Sequence, residues 1–121
     1  MQFYEKLVFV MDLARTSNRE LAQALGVDPA VVSRLRNGRR GAPRKEETVR
    51  RMAGFLAARC TSDYQRSALS EMAGVKRMLV ARPEQLAEFL FYWLRGDEDG
   101  VEGFMRDFEA LTIEGFASNA A

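Results

Sequence analysis

Residues 18–40 read NRELAQALGVDPAVVSRLRNGRR, and how this stretch folds decides the architecture. Two short segments, 19–25 and 29–37, carry apolar residues at helical spacing on either side of Gly26, which tolerates left-handed φ. Ser17 or Asn18 is placed to cap the first segment. Asp28 caps the second, with Pro29 at the first helical position, where its missing N–H costs nothing. Ala22 is small where the two helices must cross, and Leu21, Leu25, Val27, Val32 and Leu35 are apolar where the pair must bury its inner face. Gly38 closes the unit. The expectation is two helices joined by a tight turn.

On a helical wheel with Ala30 at zero, Val31, Val32 and Leu35 fall between about 100° and 200°. Ala30, Ser33, Arg34 and Asn37 fall on the opposite side. One face is therefore buried, while the other carries short side chains, one long arginine and one asparagine. Such a face can enter the major groove of DNA, and an arginine there matches the O6/N7 acceptor pair of guanine. A phosphate or an intrahelical ion pair is the other use for Arg34. Arg36, Arg39, Arg40, Arg44 and Lys45 lie around it, each set to meet phosphate or solvent.

Outward from this core the whole chain reads helical. Residues 3–14 form a first helix with Phe3, Leu7, Met11 and Ala14 on one stripe. Beyond the Gly/Pro/Arg-rich loop 39–44, residues 45–60 form a fourth helix with Val49, Met52, Ala53, Leu56 and Cys60 at helical spacing. A fifth runs from the Thr61-Ser62-Asp63 cap to about Ala73, a sixth opens at Pro83, and a seventh spans 101–111 after the acidic turn 96–100. Residues 114–121 read as a frayed tail. The fold class is all-α, a helix-turn-helix domain over residues 1–77 and a C-terminal helical pair over 78–121.

The sixth helix is apolar almost all round, because Phe91, Tyr92 and Trp93 are consecutive and cannot share one side. With Phe89, Phe104 and Phe108 they form a cluster open to three readings: a core between the last two helices, a dimer contact, or an effector site. A homodimer interface of Phe91, Tyr92, Trp93, Phe104 and Phe108 is the reading carried forward. A bound small-molecule effector has no polar group arguing for it.

Composition narrows the function. Of the 121 residues none is histidine and one, Cys60, is cysteine, which removes internal disulfides, the usual zinc sets and His-assisted nucleophiles. No cofactor, metal or enzymatic role is expected. The acidic turn lacks the ligand spacing of a calcium loop. Cys60 ends an apolar stripe and reads as a small core residue. The apolar runs 7–11 and 89–94 are too short to span a membrane, and the N-terminus lacks a basic leader. A reducing, cytoplasmic setting follows. The net charge of +1 conceals a division: residues 1–60 hold 12 Lys/Arg against 6 Asp/Glu, residues 61–121 hold 6 against 11. The basic half calls for a polyanion.

The segments ELAQALGV (20–27) and VVSRLRNG (31–38), with the basic loop after Gly38, resemble the lambda-repressor/Cro-like (XRE-type) helix-turn-helix family of bacterial transcriptional regulators. The likeness covers roughly residues 3–60, and the family fold it implies is a bundle of about five helices. It implies base contacts from the start and sixth position of the second motif helix, here Pro29, Ala30 and Arg34, and backbone contacts from Asn18 and Asn37. Pro29 departs from the polar residue many relatives carry, which shifts base reading toward Ser33 and Arg34. The expected partner is double-stranded DNA, bound by a homodimer. An antitoxin or adapter that uses the same fold on a protein partner is the alternative.

Overall fold

Seven helices and one 3-10 turn make up the described part of the chain, and no strand occurs among the described residues. The computed structural model describes residues 1–75 and 78–120, with side chains as far as Leu111. The helices are α1 (Phe3–Leu13), α2 (Asn18–Leu25), α3 (Pro29–Arg36), α4 (Glu46–Ala58), α5 (Asp63–Ala73), α6 (Pro83–Arg95) and α7 (Glu98–Ala120), with the 3-10 turn at Met78–Val80. The domain boundary expected after residue 77 falls at residues 76 and 77, which lie outside the described residues.

Local chemistry explains most helix ends. Ser17, rather than Asn18, caps α2: its hydroxyl accepts from the Glu20 N–H, and the Glu20 carboxylate accepts from the Ser17 N–H. Ser62 does the same for α5 with Gln65. Gly26 ends α2 in the left-handed region at φ 70°, which only glycine adopts without strain. The seventh helix differs from expectation at both ends. Asp97 accepts from the Gly100 N–H, and the helix begins at Glu98, runs through Gly100 and Gly103, and continues to Ala120.

The core is continuous from α1 to α7. Its most extensive helix–helix contact joins α4 to α6. Small residues make that possible, since Ala53 and Ala57 lie one turn apart on α4 and are fully buried. This corrects the assignment of the aromatic cluster. Phe91 is 2%, Trp93 8% and Phe108 4% exposed within the single chain, so none of the three offers a surface to a second copy. The side of α6 that α7 leaves bare is covered by α4. Phe91 is further enclosed by two guanidinium groups, Arg50 at 3.9 Å and Arg95 at 4.9 Å from the ring centre. Arg95 also pairs with Glu46 at 3.2 Å. Phe104 stacks on Phe108 and Tyr92 is half-buried, packed on Gly100. Lys6 of α1 donates to the Trp93 carbonyl at 2.7 Å, near the negative end of the α6 dipole. Burial lowers the Lys6 pKa, with Glu98 acting in the opposite direction.

Ala22 is buried at the crossing of α2 with its neighbours, as its size requires. Ala22→Leu is expected to overpack this point and lower stability by about 1–3 kcal/mol, read as a fall in the urea midpoint. A variant that unfolds at the wild-type midpoint would mean that the crossing has room to spare.

Candidate nucleic-acid interface

The α2–α3 pair sets the geometry. The Val27 N–H donates to the Ala22 carbonyl at 3.0 Å and closes the turn, while the Asp28 carboxylate accepts from the Ala30 N–H at 2.8 Å and starts α3. Val32 and Leu35 face inward and are buried. Pro29, Ala30, Ser33, Arg34 and Asn37 face out and are exposed, the division that the 3.6-residue period requires. Val27, expected in the core, is 37% exposed at the turn.

After α3 the chain is held in shape by its own polar groups. The Asn37 side-chain oxygen accepts from the Arg39 N–H at 3.0 Å, and the Arg40 N–H donates to the Arg34 carbonyl at 3.2 Å. Gly38 sits at φ 79° beneath the Tyr4 ring; a Cβ there would stand 3.2 Å from Tyr4 Cδ1. Tyr4 therefore buttresses the loop from α1. Thirty-four positions separate it from Gly38, and no local pattern in the sequence marks the pairing.

The expected contact residues divide into two groups. Arg34, Arg39, Arg40, Arg44 and Lys45 are exposed, and none has an ion pair among the described residues. Arg34 shares the outward face of α3 with Ala30 and Ser33, and the other four lie in the loop that follows the helix. Arg36 belongs to the fold instead. Its guanidinium donates to the Asn18 side-chain oxygen at 2.9 Å and to Asp12 at 3.2 Å, tying α3 to α1 and α2. A phosphate contact by Arg36 would compete with these two partners, and Asn18 has its oxygen occupied by the same contact. Glu20 and Arg59 form a second tie, at 2.8 Å. Hydrogen bonds from the Ser17 N–H and hydroxyl, with a smaller effect of Arg59, hold the Glu20 carboxyl below the usual range.

Behind α3 a groove of about 560 Å³ has Leu25, Val27, Val31 and Leu35 on its floor and Arg40, Arg44 and Lys45 on its rim. Elsewhere, Cys60 is fully buried, and desolvation pushes its thiol up to about 11 against the opposing pull of Arg66, so no thiolate forms at neutral pH. Among the described residues no helix is long and apolar enough to cross a membrane. Set beside known proteins, the chain matches no family model, no curated protein and no solved structure.

Proposed function

We propose that this chain is a sequence-specific DNA-binding regulator of transcription, of the lambda-repressor-like type, that lays α3 in the major groove. The observation that carries the reading is the arrangement around α3. Arg34 stands on an outward face of small side chains, and four more cations follow in the loop after α3, all five exposed and without an ion pair among the described residues. Arg34 stands on a capped helix and has no ion pair to break, so only its side chain has to be ordered when it meets a polyanion. Small residues at 30 and 33 let the helix sit deep, which places Arg34 to donate two hydrogen bonds to guanine. The loop cations contact phosphates and set register without reading sequence. Two copies on half-sites about 34–36 Å apart fit a pseudo-palindromic operator, with any contact between them lying away from Phe91, Trp93 and Phe108.

The test is selection from random duplex DNA, followed by affinity measurements over a range of salt. One sequence is expected to emerge, bound with a steep salt dependence. Neutralising Arg39 and Arg40 together is expected to weaken binding to every sequence and to flatten the salt slope by about two units. An unchanged slope would remove the loop from the interface.

A further inference from the structure

A second groove, of about 570 Å³, runs between α6 and α7. Tyr92, Phe104 and Leu111 form its apolar part, and Leu111 is 60% exposed. Glu88, Asp99 and Asp107 stand along it, and among the described residues none of these carboxylates has an ion pair. Glu84 and Arg82, also on its edge, pair with each other at 3.3 Å. Two glycines shape the floor. Gly100 is required by the chain itself, since a Cβ there would collide with the Tyr92 ring. Gly103 has open space around it, so no contact among the described residues explains a glycine that weakens the helix. A side chain at 103 would narrow the groove.

The segment of this chain that complements such a groove is residues 39–45. Arg39 and Arg40 precede Gly41-Ala42-Pro43, small and exposed or half-exposed, and Arg44 and Lys45 follow. Cations flanking a small turn answer a groove that sets carboxylates beside apolar residues. No ion pair joins the two surfaces within one chain among the described residues. The net charge of +1 leaves almost no overall repulsion between copies.

We propose that the α6–α7 groove of one molecule takes the 39–45 loop of a second copy, so that head-to-tail self-association covers the loop and competes with DNA. The contact itself stands on charge and shape. Its regulatory consequence rests on the DNA-binding reading, because the same cations cannot meet carboxylates and phosphates together.

The experiment is sedimentation of the full chain at low ionic strength, as wild type and as two charge-reversed variants. One is Arg39→Glu/Arg40→Glu; the other is Glu88→Lys/Asp107→Lys. All four positions are exposed, and circular dichroism verifies that each variant retains its helices. Wild type is expected to show a mass that at least doubles with concentration and returns to monomer at about 1 M salt, where the Debye length is about 3 Å. Each variant alone is expected to stay monomeric, and an equimolar mixture to associate again, because each then finds a complementary surface. A monomeric wild type, or variants that do not regain association on mixing, would overturn the proposal. Added duplex DNA is expected to dissolve the wild-type assembly. Association that follows the charge pattern yet ignores DNA would uphold the contact and count against the DNA-binding role of the loop.

Discussion

A chain ending after Val80 is expected to be unfolded. The truncation removes α6, and with it Leu86, Phe89, Leu90, Phe91, Trp93 and Leu94, all buried in the same core as α1 and α4. Each such side chain contributes roughly 1.5–3 kcal/mol of burial, while a whole domain is stable by about 5–15 kcal/mol. Losing six removes roughly 9–18 kcal/mol, as much as the whole of that margin. The truncation also removes the helix with the most extensive contact to α4, whose Val49, Met52, Ala53 and Leu56 are buried. Far-UV circular dichroism and amide dispersion in solution NMR check this, and low helicity with collapsed dispersion is expected. A cooperatively melting fragment would show that α1 to α5 form a self-sufficient bundle, and that α6 is an addition to it.

Arg66→Met is expected to cost about 2–4 kcal/mol of stability, through loss of charge-assisted hydrogen bonds. Arg66 is 6% exposed, and among the described residues it has no ion pair. Its Nε donates to the Cys60 carbonyl at 2.8 Å, and its Nη1 to the carbonyls of Met78, at 3.0 Å, and Ala81. One planar fork thus ties the end of α4 to the 3-10 turn and to the entry of α6. Lysine keeps the charge but not the fork, so Arg66→Lys is expected to lose most of the same stability. Denaturant titration of both variants decides the point. A wild-type midpoint for Arg66→Lys would mean that charge alone holds the joint.

What was legible in the sequence was what neighbouring residues determine. The α2–α3 unit follows from Gly26, Asp28, Pro29 and the spacing of Val32 and Leu35, all within a few positions of one another. The choice between Ser17 and Asn18 as cap and the exposure of Val27 at the turn do not follow from that pattern. Distant partners were not legible. Periodicity shows that α6 is apolar on two sides, but not that α4 lies against the second, and so Phe91, Trp93 and Phe108 read as a dimer contact in the sequence alone. Arg36 reads as one more cation in a basic stretch because Asp12 and Asn18, which hold it, are 24 and 18 positions away. Arg66 gives no local sign of its role for the same reason. α7 starts earlier than the pattern predicts because Gly100 reads as a breaker, whereas the Asp97 cap and the Tyr92 ring accommodate it inside the helix. Of the interface, the exposure of Ala30, Ser33, Arg34 and the loop cations follows from local pattern alone, while the support from Tyr4 does not.

The DNA-binding reading is tested most directly by the affinity of folded wild type and Arg34→Ala for the selected duplex and for random duplex. Wild type is expected to prefer the selected sequence. Arg34→Ala is expected to lose about 1–3 kcal/mol on that sequence, close to nothing on random DNA, and its preference at one base position per half-site. Equal losses on both would move Arg34 to the phosphate backbone. A folded wild type that binds no duplex at low salt would contradict the assignment of this chain to DNA.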